Sequence, residues 1–386
     1  MKTHDVVIVG GGMIGGAVAL ELARRGFGVA VLDRQELMHE ASWAAAGMLS
    51  PAPDCPAAIP LVPLGRASLA LYTKFVETVE DASGMRTGFR AGGAIEAIFH
   101  GDAERELSTL VALHHGLGLA CEPLPLDEAQ EMEPALGREA RAAAFLPGEC
   151  SIEPRQLAAA VLAAAASAGA DLRPGVEVTS LLVDSKKCAG VKTAEGETIP
   201  AGMVVLAAGC WSSQIEGAAP YAPTAPVRGQ MVALRHCGAP LRRVLRSEGG
   251  YLVPRGTESP QTVVAGSTLE SAGYEKRVTS GGIEKILAAA NELAPALAKA
   301  EIVETWSGLR PGTPDQLPIL GPAERDGLIY ATGHYRNGIL LAPITAKIVG
   351  EWASDGRTSA DWEAFGPLRF ARANAADRSA TASSAL

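Results

Sequence analysis

The sequence predicts an α/β fold in which a mostly parallel sheet, covered by helices, is interrupted by an inserted domain built on an antiparallel sheet. The first 33 residues form a strand–turn–helix–strand unit. Two further strands that end in small residues, Met203 to Gly209 and Leu328 to Gly333, come much later in the chain. A single sheet assembled from such distant pieces requires a second domain between them.

The N-terminal unit carries the most specific signal of the chain. Asp5 to Val9 is an apolar, mostly β-branched run that predicts a strand, and the glycine-rich turn Gly10 to Gly15 follows it. A helix continues to about Arg25, and a second strand, Val29 to Leu32, ends in Asp33. This is the G-x-G-x-x-G fingerprint in its full structural context, and it predicts a Rossmann-type dinucleotide-binding domain.

Each residue of the fingerprint has a physical role. Gly10 permits the tight turn, Gly12 lets the backbone approach a pyrophosphate, and Gly15 lets the helix pack closely on the strand. The free N–H groups and the dipole of the helix N-terminus favour the phosphate charges. Asp33 is placed to accept hydrogen bonds from both ribose hydroxyls, and its charge disfavours a ligand with a 2′-phosphate.

Composition excludes several classes of function. The chain has 386 residues, of which 47% are hydrophobic and 20% charged, as in ordinary globular proteins. Its net charge of −9 argues against a nucleic-acid partner. No apolar run is long enough to span a membrane and no signal peptide precedes the first strand, so we expect a cytoplasmic protein. The six cysteines are scattered without a C-x-x-C pair, which argues against a disulfide scaffold and a zinc site.

The remaining elements follow from periodicity and turn signals. Residues 34–63 are expected to be irregular, and residues 371–386 to form a disordered tail. Helical periodicity predicts helices over 66–83, 102–117, 126–132, 153–168 and 282–298. Apolar runs and alternation predict strands over 177–183, 188–193, 229–235, 250–254 and 262–265.

From residue 5 to residue 352 the chain resembles the FAD-dependent amine and amino-acid oxidases of the D-amino acid oxidase superfamily. Besides the glycine fingerprint with its acid, three blocks carry the resemblance. They are Ala41 to Met48, Leu206 to Ser212, and a C-terminal block made of Trp306 to Asp315 and Gly333 to Pro343. The C-terminal block looks most like that of glycine oxidases of the ThiO type, which serve thiazole formation in thiamine biosynthesis.

The resemblance implies that FAD is the cofactor. Noncovalent binding is expected, because Ser42 and Trp43 stand where covalent members offer a histidine and no cysteine follows Arg310. The resemblance places Val178 at the adenine and the backbone N–H groups of residues 338–340 at the flavin pyrimidine edge. The implied FAD-binding residues are Gly10, Gly12, Met13, Ile14, Gly15, Asp33, Arg34, Ser42, Ala45, Ala46, Gly47, Met48, Val178, Ala208, Gly209, Trp211, Arg310, His334, Arg336, Asn337, Gly338, Ile339 and Leu340.

The resemblance also implies the substrate site. Arg310 is expected to pair with the substrate carboxylate, Tyr251 to donate to the same carboxylate, and Arg336 to lie near the flavin and the substrate. The implied reaction is oxidation of glycine, or another small amino acid or amine, to an imine and oxo acid with O2 reduced to H2O2. Gly249 and Leu269 replace a histidine and a pocket methionine of some members, so we expect a reshaped pocket.

Three alternatives stay open: a sarcosine or other secondary-amine oxidase, a D-amino-acid dehydrogenase that uses a quinone, and a non-catalytic FAD-binding partner of thiazole synthase. A homo-oligomer is expected, with a tetramer among the possible states. The expected domain limits are 1–80, 145–220 and 318–370 for the FAD-binding domain, and 81–144 and 221–317 for the substrate-binding domain.

Overall fold

The computed structural model describes residues 4–184 and 186–371, in which strands and helices alternate along most of the chain. The strands are β1 His4–Val9, β2 Val29–Leu32, β3 Met48–Leu49, β4 Ala94–Ile98, β5 Glu122–Leu124, β6 Ala142–Leu146, β7 Cys150–Ser151, β8 Asp171–Arg173, β9 Val178–Val183, β10 Cys188–Thr193, β11 Thr198–Leu206, β12 Ala225–His236, β13 Val244–Ser247, β14 Gly250–Arg255, β15 Gln261–Gly266, β16 Glu301–Gly312, β17 Ile319–Pro322 and β18 Leu328–Thr332. The helices are α1 Met13–Arg24, α2 Ala41–Ala44, α3 Val62–Ser83, α4 Ala103–Gly116, α5 Leu126–Met132, α6 Pro154–Ser167, α7 Ser280–Leu293 and α8 Gly338–Asp355.

The first sheet is parallel at its centre and has the order β17-β18-β11-β1-β2-β8. Strand β1 pairs in parallel with β11 on one side and with β2 on the other. Strand β18 extends the parallel part beyond β11, and β17 returns antiparallel to it. The first residues of β11 instead pair with β10, which continues antiparallel to β9. Segments that are far apart in sequence therefore build one sheet, as predicted.

Helices α1, α3, α6 and α8 cover one face of the first sheet. Helix α1 is buried on nearly all sides because it lies between β1 and the other helices. The opposite face packs against the β9–β10 hairpin and against residues that follow β11. This layered arrangement leaves the carboxyl ends of the parallel strands as the open edge, where ligands bind in α/β sheets.

The second sheet has the order β16-β12-β15-β14-β13-β4-β6-β5. Its neighbours are antiparallel except for the parallel pair β4 and β13. Helices α5 and α7 close one face over an apolar core. The other face meets the loop around α2, where Trp306, Met231 and Ala44 share a buried cluster. The second sheet thus stands against the open edge of the first.

Most predicted elements are present, with informative differences. Residues 34–63 are not wholly irregular, because they contain α2, β3 and a 3₁₀ helix over Pro56–Leu61. The helix expected over 282–298 ends at Leu293 and resumes as a 3₁₀ helix at Pro295, since proline disfavours a helical residue before it and offers no N–H. Apart from residue 371, the predicted tail lies outside the described residues.

We propose that the chain divides into an FAD-binding part and a substrate-binding part close to the predicted limits. Sheet membership supports this division, since each part builds one of the two large sheets. The chain returns from the substrate-binding part to the FAD-binding part after Leu146 and not at residue 145. The reason is that β6 pairs with β4 and β5 in the second sheet. Helix α3, which packs on α6 and α8, stays with the first part as far as Ser83.

Candidate active site

A cavity of about 360 Å3 lies between the carboxyl ends of β1, β2, β11 and β18 and the inner face of the second sheet. It brings together most of the residues predicted to form the site. Those that line it are Gly10, Gly12, Met13, Ile14, Asp33, Arg34, Ser42, Ala45, Ala46, Gly47, Met48, Val178, Ala208, Gly209, Trp211, Tyr251, Arg310, His334, Arg336, Gly338 and Ile339. Gly15, Asn337 and Leu340 are not among its lining residues.

The three predicted residues outside the lining lie in the helices that border the cavity, at the start of α1 and α8. A Cβ on Gly15 would lie 1.9 Å from the Gly10 carbonyl oxygen, so the glycine permits the close approach of α1 to β1. Asn337 immediately precedes α8, and Leu340 is a buried side chain in its first turn. The predicted role of Leu340 is a contact through its backbone N–H, and the burial of its side chain does not contradict that prediction. The first-turn N–H groups of α8 still lack intrahelical acceptors and remain available as donors.

The turn between β1 and α1 is shaped for a pyrophosphate. Gly10 has φ of 106°, and a Cβ there would lie 2.4 Å from the Ala207 carbonyl oxygen. A Cβ on Gly12 would meet only the Ser42 hydroxyl within 4 Å, at 3.3 Å. The hydroxyl of Ser42 accepts a hydrogen bond of 2.8 Å from the Met13 N–H. The helix N-terminus is thus open to a ligand, and Ser42 is tied to it.

Asp33 is fixed in the cavity wall at the end of β2. Its carboxylate accepts hydrogen bonds from the Gly11 N–H, at 2.7 Å, and from the Gln35 N–H, at 3.1 Å. Burial raises the pKa of Asp33, while these two N–H donors and the charge of Arg34 act in the opposite direction. The side chain is pre-oriented, with oxygen lone pairs left to accept hydroxyl donors.

Aromatic and charged side chains wall the same end of the cavity. The guanidinium carbon of Arg34 lies 3.9 Å from the centroid of the Trp211 ring, which is cation–π geometry. Trp211 in turn packs against Tyr274, with ring centroids 5.6 Å apart. Lys276, which belongs to the same connection after β15, forms an ion pair of 2.7 Å with Glu40. The connection after β15 therefore packs behind the wall of the dinucleotide end.

The loop that contains α2 is held between the two sheets. The indole N–H of Trp306 donates to the Ala44 carbonyl at 3.1 Å, and Arg255 donates to the Ala46 carbonyl at 2.6 Å. Gly47 has φ of 84°, and a Cβ there would lie 2.0 Å from the Ile152 carbonyl oxygen. These contacts fix residues 44–48 along the middle of the cavity.

Arg310 lies at the end of the cavity formed by the second sheet. Its guanidinium donates to the Ser267 hydroxyl at 2.7 Å and to the Thr268 carbonyl at 3.2 Å. Burial lowers the pKa of Arg310, and the positive charge of Arg336 lowers it further. Among the residues that the structure describes, no carboxylate lies within ion-pair distance of Arg310. A half-buried cation without a counter-charge is the expected feature of an anion site.

Three further polar or charged side chains line the same cavity. The Tyr251 hydroxyl donates to the Met231 sulfur at 3.4 Å, a weak bond that a carboxylate acceptor can replace. Arg336 also lines the cavity, and it forms an ion pair of 3.2 Å with Asp54. His334 is buried against the Thr345 hydroxyl, 3.0 Å away, and burial lowers its pKa to about 3, so it is neutral at physiological pH.

The sequence did not reveal several residues of this end. Gly229, Met231 and Gly308 line the cavity from β12 and β16, and Ser267 holds Arg310 without appearing in any motif. The one local signal was Gly229 at the start of the predicted strand 229–235, since glycine in a strand indicates a close approach of other atoms. A Cβ on Gly229 would lie 2.2 Å from the Arg310 guanidinium.

Two positions that were expected to reshape the pocket do not line it. Leu269 is 62% exposed, and its side chain lies outside the cavity. A Cβ on Gly249 would contact Ala289 of α7 and the Ser247 hydroxyl. Neither position therefore contributes a side chain to the cavity wall, and the reshaped pocket stays a prediction.

Comparison with known proteins agrees with this geometry. Residues 5–352 match the family model described as FAD dependent oxidoreductase (DAO). The chain belongs to this FAD dependent oxidoreductase family. The match spans both sheets, so the resemblance predicted from the motifs, the fold class and FAD as the cofactor are confirmed.

Three proteins with named activities are similar to this chain over most of its length. Glycine oxidase of Geobacillus kaustophilus is 37% identical over 371 residues, which are 95% of this chain and 97% of the relative. A crystal structure of that glycine oxidase has a TM-score of 0.88 with 36% identity and covers 95% of this chain and 98% of its own. The bifunctional protein ThiO/ThiG of Synechocystis sp. is 36% identical over 95% of this chain, which spans 54% of that relative. Iminodiacetate oxidase of Chelativorans sp. BNC1 has a TM-score of 0.83 at 27% identity, covering 94% and 98% of the two chains.

The residues present fit FAD. The helix N-terminus with its open glycine turn suits the pyrophosphate, Asp33 suits a ribose, and the cavity continues past residues 44–48 to Arg310. No group of three potential metal ligands occurs among residues 4–184 and 186–371. Within the same ranges, no helix combines the length and apolarity that a membrane crossing requires.

Proposed function

We propose that this protein is a flavin-dependent glycine oxidase that also accepts other small amino acids or amines and reduces O2 to H2O2. The observation that carries this proposal is Arg310, a half-buried guanidinium without a described carboxylate partner, beside the Tyr251 hydroxyl in the FAD cavity. A planar guanidinium and a hydroxyl donor match an amino-acid carboxylate. The glycine oxidase relative over 95% of the chain supports the substrate.

The protein's contribution is to bind and orient. Arg310 and Tyr251 hold the carboxylate and thereby fix the Cα and amine of a small substrate relative to the cofactor. FAD, when bound, supplies the two-electron oxidation of the carbon–nitrogen bond. Ser267 and the Thr268 carbonyl hold the guanidinium in place, so that orientation is set before the substrate arrives. His334 is neutral, and its Nε2 faces Thr345 inside the protein, so we assign it a structural role.

The FAD-binding roles of the cavity residues are part of the same proposal. The α1 N-terminus would hold the pyrophosphate, Asp33 a ribose, Val178 the adenine, and the first turn of α8 the flavin pyrimidine edge. Donors at that edge stabilise negative charge on the reduced ring. Binding is expected to be noncovalent, since Ser42 and Trp43 stand where covalent members offer a histidine and no cysteine follows Arg310.

The relatives also suggest a pathway. ThiO/ThiG proteins carry a region similar to this chain over about half of their length. We propose that the product serves the thiazole branch of thiamine biosynthesis in this protein too. We further propose a homo-oligomer, with a tetramer as one state, which light scattering of the purified protein tests directly.

The decisive experiment is an absorbance spectrum of the purified holoenzyme followed by anaerobic addition of glycine, sarcosine and D-alanine. Flavin bands that bleach with glycine and recover in air with release of H2O2 support the proposal. Bleaching by sarcosine alone assigns a secondary-amine oxidase, and reoxidation by a quinone but not by air assigns a dehydrogenase. A flavin spectrum that no amine bleaches refutes turnover. Acid precipitation should release the flavin into the supernatant if binding is noncovalent.

A further inference from the structure

The two arginines at the substrate end of the cavity differ in one respect. Arg310 has no carboxylate partner among the described residues, whereas Arg336 is paired with Asp54 at 3.2 Å. Both guanidiniums line the same cavity. The substrate end therefore offers one uncompensated positive charge, although it contains two cations.

Asp54 reaches Arg336 from outside the cavity. It is not a lining residue, and its side chain is 49% exposed, while Arg336 is 31% exposed. Its charge also acts on Arg310, where burial is the main influence and lowers the pKa, and the Asp54 charge acts in the opposite direction. Asp54 is thus the carboxylate whose field reaches both arginines of the substrate end.

The segment that carries Asp54 is anchored on both sides. Ser50 donates to Glu149 at 2.6 Å and accepts from Arg246 at 3.3 Å, in a buried ion cluster behind the loop. Cys55 donates to the Gln316 side chain at 3.4 Å, and a 3₁₀ helix begins at Pro56. Asp54 is therefore held close to Arg336 by fixed neighbours, and its position does not depend on that ion pair alone.

We propose that Asp54 makes this site selective for amino acids with a single carboxylate. The proposal rests on the proposed function and assigns the substrate class of that site. The first carboxylate of a substrate neutralises Arg310. A second carboxylate in the cavity must either displace Asp54 from Arg336 or stay close to its negative charge, and like charges at short distance disfavour binding.

Selectivity against a second carboxylate is not implied by the fold, because the similar iminodiacetate oxidase is named for a substrate with two carboxylates. The test compares iminodiacetate with sarcosine, two secondary amines that differ in the second carboxylate. The holoenzyme is measured as the wild type, as Asp54→Asn, which keeps the shape and removes the charge, and as Asp54→Glu, which keeps the charge. Glu301→Gln is the matched control, because it removes a carboxylate from an arginine pair of 3.0 Å at the far end of β16.

For the wild type we expect a kcat/KM ratio that favours sarcosine over iminodiacetate. In Asp54→Asn the ratio should move toward iminodiacetate by about tenfold, which corresponds to about 1.4 kcal/mol. The ratio in Glu301→Gln should stay within about twofold of the wild type, since an exposed ion pair remote from the site contributes little. Asp54→Glu should keep most of the selectivity, because it keeps the negative charge. An unchanged ratio in a folded, FAD-loaded Asp54→Asn enzyme refutes the proposal, as does a wild type that prefers iminodiacetate.

Salt dependence provides a readout that a purely structural role would not move. Between about 0.05 M and about 0.5 M sodium chloride, screening should raise the iminodiacetate share in the wild type, where the second carboxylate is repelled. In Asp54→Asn the same salt should lower that share, because Arg336 then attracts the second carboxylate. Slopes of the same sign in both proteins refute the proposal.

Binding without turnover separates this inference from the proposed function. Glycolate and malonate are titrated into each holoenzyme, and the perturbation of the flavin absorbance gives the dissociation constants. We expect Asp54→Asn to bind malonate about tenfold more tightly relative to glycolate than the wild type does. If no amine bleaches the wild-type flavin but this shift occurs, the proposed function fails and the charge assignment stands. If sarcosine or glycine bleaches the flavin but the shift is absent, only the inference fails.

Discussion

Arg310 and Tyr251 form the proposed carboxylate clamp of the substrate site. The substitution Gly229→Ala is expected to disable this clamp while leaving the fold intact. A Cβ at this position would lie 2.2 Å from Nη1, 2.3 Å from Nη2 and 2.4 Å from Cζ of Arg310. Ordinary contact begins near 3.4 Å, so the guanidinium must withdraw by about 1.2 Å. The displaced group is the end of a flexible side chain, and its movement breaks the hydrogen bonds to Ser267 and the Thr268 carbonyl.

The size of the effect follows from that displacement. Misplacement of a positioning group by about 1 Å costs on the order of a hundredfold in rate, or about 2.7 kcal/mol. We therefore expect kcat/KM for glycine to fall about a hundredfold, measured as the rate of anaerobic flavin bleaching in a stopped-flow spectrometer. FAD content should be unchanged, and the midpoint of thermal unfolding should stay within about 3 °C, because the steric conflict is relieved by one side chain.

The matched control is Gly281→Ala, where a Cβ meets nothing within 4 Å. This variant should bleach at the wild-type rate. A folded, FAD-loaded Gly229→Ala enzyme with wild-type kcat/KM would show that Arg310 does not position the substrate from the place where the structure puts it. A loss of FAD in the same variant would instead indicate that the strand, and not the guanidinium, had moved.

Three further predictions concern the cofactor, the carboxylate and pH. Asp33→Asn should weaken FAD binding by about tenfold or more, seen by fluorescence titration of the apoprotein, because a charged acceptor for hydroxyl donors is lost; unchanged affinity would contradict the ribose assignment. Arg310→Lys should lower kcat/KM at least about a hundredfold with FAD content unchanged, because a single ammonium cannot make the bidentate contact; wild-type kinetics would remove Arg310 from the site. The folded-state pKa of His334 lies below the usual 6.5, so its contribution to stability is complete above that value and is lost as the pH falls toward about 3. Urea unfolding of the wild type should therefore lose about 2 kcal/mol between pH 6.5 and pH 5 from this group, and His334→Gln, which removes it, should show a correspondingly flatter dependence.

Local signals predicted the first sheet well, because its elements carry their own chemistry. The glycine turn, the apolar β1 run and the acid that follows β2 are each legible without tertiary information. The C-terminal part of β11 was recognised as a buried parallel strand, and it pairs with β1 from Met203 to Leu206. The strands are buried on both faces, and the turn requires glycines, so few other residue types can occupy these segments.

The second sheet was predicted only in part. Residues 306–315 were recognised as a motif block, and no strand was predicted over the twelve residues of β16. Gly308, Pro311 and Gly312 all lower the strand propensity of that segment. Its pairing with β12 over nearly the whole length outweighs this local preference. Strands β4, β6 and β13 were also missed, because short strands of a mixed sheet carry little periodic signal.

The position of Arg310 depends on the register between β12 and β16, which cannot be read from either segment alone. Gly229 pairs with Gly308, and Arg310 lies two residues further along β16, so Arg310 and Gly308 point to the same face of the sheet. A slip by one residue would turn Arg310 to the outer face. The only interruption of the β12–β16 register in the described pairing is the irregularity between Ala233 and Leu234, beyond the site. That irregularity separates the exposed start of β16 from its end, so changes near Glu301 can be absorbed there without moving Arg310. The pairing of Gly229 with Gly308 therefore fixes the position of Arg310. Gly229 leaves room for the Arg310 guanidinium, and Gly308 leaves room for Ala44 in the loop that contains α2.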